Sequence, residues 1–434
     1  MKWMWCAPLT GCLFFSLLPA FAMAQEIETP ISYSGDELTL EWVLEELPKR
    51  HETWEITEMQ VRQSEAGRRQ ALAALLPNLN LSAQVTRQSG DEVIVEGEVF
   101  RSNTDWGMTT RLGVTLFDGP RYMDYQRSGL LLEATESGVR WRRHLMMLEG
   151  ELAFYRVAAA QREVEIAESA IELRRQYLEQ AEALASAGMA ISVDVSRARA
   201  QVLEAEQARL EAELALGDAA DDLAVLLGFA PDGALRVLAQ EDQEIPTPPD
   251  GPGDASQDRP DFQAELLTLD AANIARRSIW AELLPRLELG ATSQLGRPIG
   301  FNPEIHVWAI NLSLSWLLYD GGARYARIDA QEAQIREQEL LLRQDLRQAS
   351  ADLSRARRQW RRAVAAITLA EEQVSVAQET FDVVTARFES GLATSLEVSD
   401  ASQELFRAEL SLNQIRLQAQ LAEIQSRYLE RSPE

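Results

Sequence analysis

The sequence predicts a mainly helical protein with a smaller β component, built as two copies of one structural unit. Three observations carry that reading. Long stretches without proline, rich in Ala, Glu, Leu, Arg and Gln, hold apolar residues at alternating spacings of three and four, which marks helices packed in coiled-coil seams. Four segments of ten to twelve residues alternate apolar and polar side chains, as strands with two different faces do. The order helix, strand, strand, long helix, glycine turn, helix then occurs twice, with Gly188 and Gly391 lying 203 positions apart.

One basic residue, Lys2, an apolar run through Leu13-Phe14-Phe15 and a small-x-small ending at Ala22-Met23-Ala24 predict a secretory leader over residues 1–24. Both cysteines, Cys6 and Cys12, fall inside it. Leu9-Thr10-Gly11-Cys12 mimics a lipoprotein cleavage box, but most of the apolar run follows that cysteine instead of preceding it. The mature chain is therefore expected to carry no cysteine, no disulfide and no lipid anchor. The full chain has a net charge of −26, and loss of Lys2 with no acid makes it −27. Such a balance argues against a nucleic-acid partner, since phosphate binding needs a basic surface. No mature stretch reaches the roughly 18 consecutive apolar residues of a membrane helix. A mature chain that spans a membrane must then do so as a closed β-barrel.

Residues 25–37 read as an irregular lead-in, and the first unit occupies 38–240. From Leu38 to Leu76 the pattern is helical, interrupted around Pro48. The period then changes to two: Leu79, Leu81, Ala83 and Val85 share one face, and Asn78, Asn80, Ser82, Gln84 and Thr86 the other. This places a strand at 77–88. After a polar stretch over 88–105, a second strand at 106–117 puts Trp106, Met108, Leu112, Val114 and Leu116 on one face, and Asp118-Gly119-Pro120 ends it. A long helix runs from Arg121 to Ala187 and a second returns to Leu227.

Residues 241–259, rich in Pro, Gly and Asp, read as a linker. The second unit, 260–431, repeats the first. Its first helix spans Asp261 to Leu284, and Leu283-Leu284-Pro285-Arg286-Leu287-Glu288-Leu289 matches Leu75 to Leu81 at an offset of 208. Strands are placed at 285–296 and 307–319, the latter with Trp308, Ile310, Leu312, Leu314 and Trp316 on one face. A long helix runs to Ser390 and a last helix to Leu429. Seams appear at Val374, Ala377, Phe381, Val384 and Phe388, at Val398, Ala401, Leu405 and Ala408, and at Val195, Ala198, Val202 and Ala205. Their many alanines imply close helix packing.

Each hairpin tip, about 187–195 and about 390–398, begins at a glycine suited to the left-handed conformation past a helix end. A Ser or Thr follows with an acid close behind, and Thr394 and Glu397 have capping-box spacing.

The strands have the length to cross a bilayer tilted, with polar faces suited to a wet lumen and tryptophans suited to lipid interfaces. A small soluble sheet packed on helices would show the same alternation. Four strands cannot close a barrel, because the smallest have about eight, so a spanning version must be an oligomer sharing one barrel.

The duplicated order, with Leu-Leu-Pro before odd strands, Asp-Gly after even strands, Arg259-Pro260-Asp261-Phe262 opening the second unit and the Gly-x-x-Ser/Thr-x-x-Asp/Glu-Val tip, resembles the TolC-type outer-membrane efflux protein family from about Leu38 to Leu429. The resemblance implies a homotrimer of duplicated helical hairpins: a coiled-coil tunnel, or α-barrel, in the periplasm joined to a shared 12-stranded barrel in the lipid of the outer membrane of a Gram-negative bacterium. It implies an exit duct for efflux or type I secretion, working with an inner-membrane pump and a periplasmic adaptor, with no catalytic chemistry, metal or cofactor of its own.

By position, the resemblance brings Glu397 and Asp400 to the channel entrance as acidic rings, and Asp194 occupies the matching place in the first tip. Such rings favour cations; capping of Thr394 by Glu397 and a helix-dipole role for Asp400 are the plainer reading. Where some members carry a basic residue shortly after the second glycine, this chain has Leu392 and Ala393, so a closed entrance must be tied by other contacts. Gly188, Met189, Ala190, Gly391, Leu392 and Ala393 are the candidates for adaptor docking, being small or apolar at an exposed tip.

His51, His144 and His306 are scattered and without metal spacing, and no nucleophile motif is present. The rival of a different class is a non-pore periplasmic coiled-coil scaffold or adaptor. A scaffold has no use for four alternating strands with tryptophans.

Overall fold

A computed structural model describes residues 37–87, 93–95, 98–101, 104–188, 191–238, 245–249, 251, 258–297 and 305–430. The expected leader, 1–24, and nearly all of the lead-in lie outside them. The first unit opens with helix α1, Leu40–Arg50, capped by the Thr39 hydroxyl, which accepts from Trp42 N at 3.3 Å. Pro48 sits in its last turn, and the chain restarts at α2, Glu52–Ala73. That helix stops four residues before Pro77, and its counterpart α5, Pro260–Ala281, stops four before Pro285. A proline bars the residue before it from the helical region and clashes with the carbonyl four back, so both helices end three residues short of the apolar pattern.

Strand β1, Asn78–Arg87, follows α2. Inside the stretch read as merely polar lies a short antiparallel hairpin, β2, Val93–Val95, with β3, Glu98–Arg101. Strand β4, Thr104–Phe117, leads into α3, Gly119–Ser186, a helix of 68 residues and about 100 Å. Its N-cap is Asp118, whose carboxylate accepts from Arg121 N at 3.2 Å. After the first tip α4, Ser192–Leu226, returns. In the second unit α5 leads to β5, Arg286–Arg297, and β6, Ile305–Ser315. The last strand ends earlier than expected, because alternation fails in Trp316-Leu317-Leu318-Tyr319 and Trp316 Nε1 donates to Leu283 O at 2.9 Å. Then come α6, Ala323–Glu389, and α7, Ser395–Glu430. No described helix is long and apolar enough to cross a membrane.

The four long strands form one antiparallel sheet in the order β1-β4-β5-β6. Its register aligns Leu79 with Leu112, Leu112 with Ala291 and Ala291 with Ile310 on one face. Asn80, Arg111 and Thr292 align on the other. Leu79, Val85, Trp308 and Leu312 are 64% to 75% exposed, so the apolar face carries no cover among the described residues.

Below the sheet, α3 packs between α4 and α7, and α7 packs on α6. Nearer the sheet α2 and α5 take the places of α4 and α7. The expected seams bury Ala198, Ala377, Phe381, Val398, Ala401, Leu405 and Ala408 in one cluster near the tips. A second core, mid-length, joins Val43 and Leu47 of α1 to Phe154, Val157, Leu216 and Leu223. There Arg427 on α7 pairs with Glu151 on α3 at 2.5 Å, and Arg357 on α6 with Glu430 at 2.6 Å. Arg259, opening the second unit, is buried with its guanidinium 4.3 Å from the Trp141 ring and paired with Asp261. That motif anchors the second unit onto α3.

Candidate functional site

The two hairpin tips lie side by side. Gly188 and Gly391 have φ of +75° and +72° with open space where a Cβ would stand, so backbone conformation alone selects glycine there. Met189 and Ala190 lie outside the described residues. Leu392 is 71% exposed, whereas Ala393 is half-buried against the seam cluster. Exposed Ile191 and Val193 extend the apolar tip of the first hairpin.

On α7 the capping box forms as its spacing predicts. Glu397 N donates to Thr394 Oγ1 at 3.3 Å, and Glu397 Oε2 accepts from Thr394 N at 2.6 Å and from its hydroxyl at 2.9 Å. The backbone bond from Thr394, reinforced by the hydroxyl, holds the Glu397 carboxyl below its ordinary value. Asp400 is exposed in the second turn of the same helix, three residues on and on the same side.

Asp194 has a different setting. Its Oδ2 accepts from Ile191 N at 3.4 Å, and its Oδ1 accepts from the Ser395 hydroxyl at 2.5 Å. Arg197 Nη1 donates to Ser395 Oγ at 2.9 Å and lies 3.6 Å from Asp194. The Tyr177 hydroxyl donates to Ser395 O at 3.3 Å, and Gln201 Nε2 donates to Ser399 Oγ. The Tyr177 and Phe388 rings lie 5.4 Å apart. Ser395 is thus the meeting point of three residues from the other hairpin. Sequence reasoning missed Tyr177, Arg197, Gln201, Ser395 and Ser399, because their pairing spans about 200 positions and leaves no local spacing signal.

A model of the family described as outer membrane efflux protein matches residues 46–229 and 251–427. The chain belongs to that family. Outer-membrane proteins of known structure share its fold. The outer membrane protein VceC of Vibrio cholerae superposes with a TM-score of 0.77 at 20% identity, over 91% of this chain and 97% of that one. CusC superposes with a TM-score of 0.79 at 18% identity, over 92% and 96%. Among curated relatives, the fusaric acid resistance protein FusA of Burkholderia cepacia is 25% identical over 288 residues, 64% of this chain. The match spans 54% of that relative's length.

Proposed function

We propose that three copies of this chain form an outer-membrane exit duct, a shared barrel continuing into a periplasmic tunnel, that receives substrate from an inner-membrane pump through a periplasmic adaptor. The observation that carries the trimer is a pair of open edges, on the sheet and on the helical layer, interrupted at mid-length where Gly233 N donates to Asp221 of α4 and Arg361 of α6 donates to Pro249 O. One edge consists of β1, α2 and α4, the other of β6 and α6. Neighbouring elements alternate in direction across the whole layer, so β1 and α4 of a second copy continue the alternation beside β6 and α6 of the first. Unpaired strand edges invite such pairing. Three four-stranded sheets make twelve strands, enough to close where four are not. The exposed leucine and tryptophan face favours lipid over a soluble sheet packed on helices, which would cover it. A non-pore scaffold leaves both that face and the open edges without a use.

At the far end, Glu397 and Asp400 form the acidic entrance, and three copies bring six carboxylates together, favouring cations. Asp194 serves as the tie between hairpins instead of as a free charge. Leu392 with Gly188 and Gly391 form the docking surface for the adaptor. Gly391→Leu, which strains a φ of +72° by about 1–2 kcal/mol and adds bulk at the tip, is expected to abolish efflux while particles still assemble. Normal efflux from that variant removes the docking assignment. The function is tested first by the mass of the particle that detergent extracts from the outer-membrane fraction. Three mature chains are expected; a monomer released from the periplasm without detergent overturns the duct.

A further inference from the structure

We infer that α4 of one copy and α6 of the next meet in a fixed register, held by an ionic clasp of Asp218 and Asp222 against Arg358 and Arg362. The inference rests on the trimeric reading above and deepens it by naming the face on which a second copy seats. Each edge helix carries one stripe opposite its internal seam. On α4, Leu203 and Leu210 are about 60% exposed, and they lie 15 and 22 residues past Gly188. On α6, Val376 and Leu369 are 53% and 73% exposed, and they lie 15 and 22 residues before Gly391. Two apolar stripes with no partner among the described residues thus stand at equal heights above the tips.

Farther from the tips the outward sides of both helices turn charged, with opposite signs. Asp218 and Asp222 lie 30 and 34 residues past Gly188; Arg358 and Arg362 lie 33 and 29 residues before Gly391. All four are exposed, and none has an ion pair among the described residues. Antiparallel helices from two copies bring each aspartate level with an arginine. A single exposed pair contributes little. Two pairs beside an apolar seam, repeated at three interfaces, set register and exclude a slipped arrangement in which like groups face each other.

The expected mature chain has no cysteine, so the register is read by disulfide cross-linking in detergent-extracted particles. Leu210→Cys with Leu369→Cys is expected to give covalent trimers. Leu210→Cys with Val383→Cys, offset by 14 residues or roughly 21 Å, lies beyond the reach of a disulfide and is expected to give none. Asp218→Lys with Asp222→Lys is expected to lower the temperature at which the particle dissociates in dodecyl sulfate, as is Arg358→Glu with Arg362→Glu, and all four changes together are expected to restore it. Absence of the level-matched cross-link in particles of trimer mass overturns the register and leaves these faces to another protein. Additive losses in the fourfold variant overturn the clasp. If the unaltered particle is not a trimer, the duct itself fails instead.

Discussion

Leu312→Arg is expected to abolish assembly into the outer membrane, while Ser313→Arg, one position along the same strand, is tolerated. Leu312 is 64% exposed on the apolar face of β6, midway between Trp308 and Trp316. In a shared barrel that face meets lipid at the bilayer centre. An arginine there costs about 2–4 kcal/mol, and symmetry repeats it in each of three copies. A total of about 6–12 kcal/mol rivals the whole stability of an ordinary domain. Ser313 faces the other way, pairs in register with Glu288 and donates its hydroxyl to the Glu288 carbonyl at 3.3 Å. An arginine there enters a wet lumen beside a carboxylate. The measurement is the amount of trimer in the outer-membrane fraction for each variant. Equal recovery of both would mean that the two faces meet the same solvent and that no barrel exists.

The contrast between those two neighbours shows why the strands could be read from the sequence at all. A face that meets one solvent and a face that meets another impose a strict period of two, and this period is visible in Leu79 to Val85 and in Trp308 to Leu314. Where the alternation was too short to register, in Val93–Val95 and Glu98–Arg101, the hairpin went unseen. Where apolar residues ran together after Ser315, the strand was read too long. Proline marked the ends of α2 and α5, but its effect reaches four residues back, past the last apolar residue of the pattern. Asp118 and Asp320 were read as strand ends. They are equally the starts of the long helices, accepting from Arg121 N and Arg324 N.

The hairpin tips were legible only in their local part. The Thr394 and Glu397 spacing is a property of one helix turn, so the sequence contains it whole. The bond from Ser395 to Asp194 depends on how two hairpins lie against each other. Nothing within ten residues of either group announces it. The lateral order of the helices is likewise a property of the fold, and the level match between α4 and α6 becomes visible only after that order places both at open edges.

Asp194→Ala is expected to raise the conductance of the reconstituted channel severalfold while leaving its preference for cations in place. The substitution removes the bond from Ser395 and the ion pair with Arg197, both half-buried. Hydrogen bonds to charged groups contribute about 1.5–3 kcal/mol each. Loss of even 2 kcal/mol shifts a closed-to-open equilibrium roughly thirtyfold per copy. Ser395→Ala should act in the same direction, and Tyr177→Phe more weakly, since it loses one neutral bond. None of these touches Glu397 or Asp400, so selectivity should change only in Glu397→Gln with Asp400→Asn. The two effects separate on pH as well. Thr394 holds the Glu397 carboxyl below its ordinary value, so Glu397 keeps its charge to a lower pH than an ordinary glutamate, and cation preference is expected to persist correspondingly lower. Single-channel recording across that range checks both. A channel that opens without loss of selectivity in Asp194→Ala, and loses selectivity without opening in the Glu397 and Asp400 pair, assigns the tie and the filter to different residues. If Asp194→Ala conducts like the unaltered protein, the bonds to Ser395 serve only the folded tip, and the entrance must be held closed by contacts between copies.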